Sequence, residues 1–137
     1  MLRYETASAA PPEAVWPLLA RPDRWNEWAW HVRGAWGLGS PEVRAGARGA
    51  VRLLGGVPVP VRITGVDRGR SWGWQAGPLH FVHRVDPVGE GSVVGIDVDG
   101  PAALLAVVGR TYGPWCRHVT RVISERATVE GGRGGGW

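Results

Sequence analysis

The chain has 137 residues, nine tryptophans, one cysteine and a formal net charge of +4, and every one of its sixteen cationic side chains is an arginine. A domain of this length buries about two thirds of its unfolded surface, and a single cysteine, Cys116, excludes an internal disulfide framework. The arginines are scattered from Arg3 to Arg133 without a run, which argues against nucleic acid as a partner.

"LRYETAS" alternates as a first strand, with Leu2, Tyr4 and Thr6 on one face. "APPEAVWPLLARPDRW" reads as a helix: Pro11 and Pro12 suit its first turn, and Val15, Leu18 and Leu19 form its apolar stripe. Pro17 should kink it and Pro22 should end it. "DRWNEW" adds a short helical turn with Asp23 as its cap. Six glycine-punctuated segments follow: "VRGAWGL", "RGAVRLL", "VPVRITGVD", "SWGWQA", "HFVHRVD" and "SVVGIDVD". Their spacing near ten residues and their turn chemistry predict an antiparallel meander. After Gly100-Pro101 the period becomes helical, with Leu104, Leu105, Val108, Tyr112, Trp115, Cys116, Val119, Val122 and Ile123 on one stripe and a bend at Gly113-Pro114.

The predicted class is α+β: a seven-stranded antiparallel sheet curved around one long C-terminal helix, with one or two short helices after the first strand. Residues 1–128 form the domain, and the glycine-rich 129–137 form a flexible tail. The start "MLRYETASAAPPEAV" lacks a signal peptide's apolar run, and "PAALLAVVG" is far shorter than the roughly 20 apolar residues of a membrane span. A cytoplasmic protein without a membrane span is expected.

The fragments "PPEAVWPLLARPDRWNEW", "FVHRVDPVGEGSVV" and "GPAALLAVVGRTYG", in this order of elements, resemble the START-like (SRPBCC) superfamily, especially its polyketide cyclase/dehydrase branch. The resemblance spans about residues 2 to 127 and implies the Bet v 1-like helix-grip fold, with a mostly apolar cavity between the sheet and the C-terminal helix. It implies binding of a hydrophobic small molecule, either by an enzyme or by a lipid- or quinone-type carrier or sensor. No cofactor is implied.

Alternation assigns the strand faces. Trp72 and Trp74 share a face, as do Phe81, His83 and Val85; Tyr112 and Trp115 lie on the helix stripe. The expected ligand lining is therefore Trp72, Trp74, Phe81, His83, Tyr112 and Trp115, with Trp28 and Trp36 near the mouth. Such an aromatic wall suits a flat, aromatic or polycyclic ligand. His83 titrating near neutrality, with Tyr112 donating to a carbonyl, would be the catalytic pair for an aldol cyclisation or dehydration.

His80 and His83 are three apart on a strand and point to opposite faces, so they make no metal pair, and no metal is expected. "GRSWG" matches a nucleophile-elbow pattern, but Ser71 opens a strand rather than a helix. Asp97 and Asp99 share a face expected to meet solvent. A different reading places part of the tryptophan set outside with Arg24 and Arg33, as a protein-binding patch or a homodimer contact.

Overall fold

A computed structural model of the chain describes residues 1–29, 32–53, 58–111 and 113–135, with the backbone alone described at 32, 33, 53, 111, 115 and 130–135. Seven strands form one antiparallel sheet: β1 (Leu2–Ser8), β2 (Val32–Trp36), β3 (Arg48–Leu53), β4 (Pro58–Asp67), β5 (Ser71–Ala76), β6 (Leu79–Val88) and β7 (Gly91–Asp99). The order across the sheet is β1-β7-β6-β5-β4-β3-β2, so β1 and β2 are the two edges. Two bulges, between Val32 and Gly34 and between Ile63 and Gly65, add local twist to the β2–β5 half.

Register carries one face inward. Leu2, Val98, Phe81, Trp74 and Ile63 form one cross-strand row, and Tyr4, Ile96, His83, Trp72 and Val66 form the next. Most of these side chains pack into the core with Val15, Leu18, Leu19, Val119 and Ile123 of the helices. A row of this kind keeps its neighbours about 5 Å apart, close enough for large rings to stack.

Helix α1 (Pro12–Ala20) is continuous through Pro17, and Arg21 ends it in an extended conformation, as expected of a residue before proline. The next turn, Pro22–Glu27, is a 3₁₀ segment. Asp23 does not cap it. The cap position belongs to Arg21, whose guanidinium instead holds the Asp23 carboxylate at 3.0 Å. Proline at the first position supplies the turn's geometry without a side-chain cap.

The C-terminal part is helical, as expected, over α2 (Ala102–Thr111) and α3 (Gly113–Gly135); Tyr112, between them, lies outside the described residues. Gly113 passes close to Tyr4, where a Cβ would lie 3.0 Å from the Tyr4 hydroxyl. α3 reaches Gly135, into the segment expected to be a tail. It grips β1, β7 and α1. Its polar seam on β1 joins Thr6 to Thr120 at 2.7 Å and the Ser124 hydroxyl to the Ala7 carbonyl at 3.1 Å. Among the described residues, no helix is long and apolar enough to cross a membrane.

Candidate functional site

The end of α1 explains much of the tryptophan content. A helix leaves its last four carbonyls without intrahelical partners. Here Pro17 accepts from the Arg21 N–H and Ala20 from the Val43 N–H. Leu18 accepts from the Trp28 indole at 2.8 Å. Leu19 accepts from two indoles, Trp25 at 2.8 Å and Trp72 at 2.9 Å. Three buried tryptophans therefore complete a helix terminus that water does not reach. Trp16 donates to Glu42 at 3.1 Å.

Above this cap the rings are ordered. Trp25 stacks on Trp72 (centroids 5.2 Å, planes 12° apart), and Trp72 stacks on His83 (4.1 Å, 12°). Trp74 stands across all three, nearly perpendicular to Trp25, Trp72 and His83 at 5.4, 5.3 and 5.6 Å. Phe81 meets Trp74 edge-on at 6.4 Å, and Trp28 tilts toward His83 at the same distance. The structure thus brings Trp28, Trp72, Trp74, Phe81 and His83 together on the inner face. Trp25, which spacing alone had not placed with them, is the third member of the stack; its position inside the Pro-initiated turn was the available clue.

Trp36 is not with them. It pairs with Ala50, two residues from outward-facing Arg52, while inward Val51 pairs with Ala35. Trp36 therefore lies on the outer face, 48% exposed, with the Arg52 guanidinium over its ring at 5.7 Å. From Gly34 on the register is regular, so Trp36 follows the parity of its pairing with β3, which a single strand's sequence does not reveal. Tyr112 and the Trp115 side chain lie outside the described residues, as does the side chain of Arg33.

His83 is 5% exposed, and burial pushes its pKa down to about 3. The imidazole is accordingly neutral at physiological pH, not titrating near neutrality as expected for a solvated pocket. Among the described residues, His83 Nδ1 and Trp74 Nε1 are buried without a hydrogen-bond partner. Cys116 is also buried, which pushes its thiol up to about 11 and leaves it unreactive.

On the outer face, His80 meets Thr64 at 2.7 Å. They border a shallow groove of about 430 Å³ floored by Gly65 and Gly73. Asp97 is not solvated there. Gly95 leaves room for the Arg84 guanidinium to lie flat on the sheet, and Arg84 holds Asp97 at 2.9 Å, Glu5 at 2.7 Å and Asp86 at 2.8 Å. Hydrogen bonding to Asp97, above all, raises the Arg84 pKa beyond its ordinary value.

The helix-grip arrangement and its inner aromatic face agree with a family comparison. Residues 2–133 match the model described as polyketide cyclase/dehydrase and lipid transport. The chain belongs to this family. Solved structures place this cyclase/dehydrase-type chain in the same fold. It is similar to Ara h 8.0201 (13% identity, TM-score 0.69, covering 93% of this chain and 97% of that one). It is also similar to DynU16, a protein of the dynemicin biosynthetic locus (19%, 0.69, covering 96% and 47%). A third similar structure is CalU16 from Micromonospora echinospora (20%, 0.62, covering 95% and 82%). No curated protein sequence matches the chain. For a member of the cyclase/dehydrase and lipid transport family, the fold is one suited to hydrophobic ligands.

Proposed function

We propose that the chain binds a hydrophobic, aromatic or polycyclic small molecule between the inner face of the sheet and the C-terminal helices. The observation that carries this reading is the contrast between the indoles. Trp16, Trp25, Trp28 and Trp72 all have hydrogen-bond partners, whereas Trp74 Nε1 and its neighbour His83 Nδ1 are buried without one. Buried polar groups are nearly always satisfied, and an exception calls for a reason. A flat ligand set against Trp74 and Phe81, with an acceptor for the indole N–H, supplies one. Tyr112 and Trp115, on the helical stripe, belong to the same proposed lining.

A neutral His83 serves this ligand as a hydrogen-bonding group. It is a poor proton shuttle near pH 7, because effective general acids and bases have pKa values close to the working pH. We therefore read the site as a binding site of carrier or sensor type first. Cyclase or dehydrase turnover, with Tyr112 as its donor, is the second reading and draws its support from the family description.

The test is a tryptophan-fluorescence titration of the full chain against fatty acids, quinones and polyphenolic tricyclic compounds, with Trp74→Phe and His83→Ala alongside. Saturable quenching by the ring compounds, weakened in Trp74→Phe, is the expected result. No saturable response from any class would overturn the proposal. Product formation by the wild type, lost in His83→Ala while affinity is kept, would move the enzyme reading ahead of the carrier.

A further inference from the structure

The outer face of the sheet is electrically divided. Over β6, β7 and β1, Arg84 and Arg3 are matched by Glu5, Asp86 and Asp97. Over β2, β3 and β4, the outward cations are Arg48, Arg52 and Arg62, all exposed. Among the described residues, none of these three meets an acid; the outer-face carboxylate of β4, Asp67, stands at the far end of the strand, five residues beyond Arg62. Arg48 and Arg62 are direct cross-strand partners. Like charges on directly opposite residues, whose Cβ atoms lie about 5 Å apart, are destabilising, and a bound anion relieves that repulsion.

Between that pair and Arg52, roughly 13 Å along β3, the same face is apolar. Trp36 pairs with Ala50 and Ala50 with Pro60, and Pro58 pairs with Arg52. The indole is 48% exposed, and both prolines are exposed. The row order is thus cation, apolar strip with an indole, cation pair.

The geometry points to a docking surface for an anionic lipid bilayer, with phosphate and carboxylate headgroups against Arg48, Arg62 and Arg52 and the Trp36 indole at headgroup level. Indoles favour that interface because one edge is polar and the rest apolar. Arginines near an anionic leaflet each strengthen attachment about fivefold. A nucleic-acid strand fits less well, since it needs successive stacking rings and Trp36 is the only described ring on this patch. An added peptide strand fits less well too, because the bulge between Val32 and Gly34 interrupts the free edge of β2. This surface is on the face opposite the proposed ligand site and does not depend on it.

The experiment is co-sedimentation of the full chain with vesicles of phosphatidylcholine alone and of phosphatidylcholine mixed with phosphatidylserine, at low and high salt. Arg48→Gln/Arg62→Gln and Trp36→Ala are compared with Arg121→Gln, a change to an exposed arginine on α3. Expected is salt-sensitive binding to the anionic vesicles only. The double arginine variant should bind about 25-fold more weakly, Trp36→Ala should also bind more weakly, and Arg121→Gln should match the wild type. Arg48→Gln should also melt no lower than the wild type, because it relieves a repulsion, and this separates lost docking from lost folding. Equal binding to neutral vesicles, no binding to anionic ones, or equal losses in Arg121→Gln would overturn the proposal. Binding to single-stranded oligonucleotide or polyglutamate without binding to vesicles would overturn it in favour of those partners.

Discussion

The Trp72 indole donates to the carbonyl of Leu19 at 2.9 Å, joining a central strand to the end of a helix 53 residues earlier in the chain. The same carbonyl accepts from Trp25. This shared acceptor makes the two tryptophans energetically dependent on each other. Trp25→Phe or Trp72→Phe alone leaves Leu19 with one donor, whereas the double variant leaves a buried carbonyl with none. The double variant should therefore lose about 1 kcal/mol or more beyond the sum of the single losses. Urea unfolding of the four proteins measures the coupling, and simple additivity would show that the carbonyl is satisfied in another way.

Trp74 should behave differently. Its N–H has no partner, so Trp74→Phe removes a group whose burial was costing stability. It should destabilise the unliganded protein by less than Trp72→Phe does, while weakening ligand binding more than the stability change explains. Thermal melts of the two variants, set beside the fluorescence titration, check this.

His83 predicts the acid limb of the stability profile. Unfolded, the imidazole takes up its proton near pH 6.5; in the fold, burial lowers that value to about 3. Between these values the unfolded chain binds more protons, so stability falls as pH falls through this window. At about 1.4 kcal/mol per pH unit, the loss from pH 7 to pH 5 is about 2 kcal/mol. His83→Phe keeps a ring against Trp72 and removes the titration. Denaturant unfolding at the two pH values should show the wild type losing this increment and the variant keeping it.

Gly95 is a space-holding residue. A Cβ at that position would stand 2.6–2.8 Å from the Arg84 guanidinium, which three carboxylates hold in place. Gly95→Ala should push Arg84 off Asp97 and cost about 1–3 kcal/mol. Thermal melting of Gly95→Ala next to Arg84→Met would test this; a wild-type melting point for the alanine variant would mean that the guanidinium relocates freely.

The 3₁₀ turn contributes a pH effect with a different window. Arg24 and Arg126 both bind Glu27, at 2.7 and 2.9 Å, which ties the turn to α3. Hydrogen bonding from Arg24, first of all, lowers the Glu27 pKa. That stabilisation is complete above the ordinary carboxylate value and disappears as pH falls through the lowered one. Because the pair is partly solvated, Glu27→Gln should cost under about 1 kcal/mol at neutral pH and nothing at strongly acid pH, as denaturant unfolding can show.

Local chemistry carried a large part of this protein's design into its sequence. Alternation in "SWGWQA" and "HFVHRVD" put Trp72, Trp74, Phe81 and His83 on one face, because a strand's side-chain period is fixed at two. Pro22 marked the end of α1, because proline restricts the residue before it. The order of strands and helices identified the fold. Tertiary structure alone decided the rest. Pairing with Ala50 turned Trp36 outward, and which partner a strand residue meets is set by the neighbouring strand, not by its own local pattern. The partners of Leu18 and Leu19 come from positions 25, 28 and 72, and a helix end cannot announce which distant indoles will reach it. His83 became a neutral, buried base because Trp28 and the β5 rings Trp72 and Trp74 closed over it, and desolvation is a property of what surrounds a group, not of the group itself.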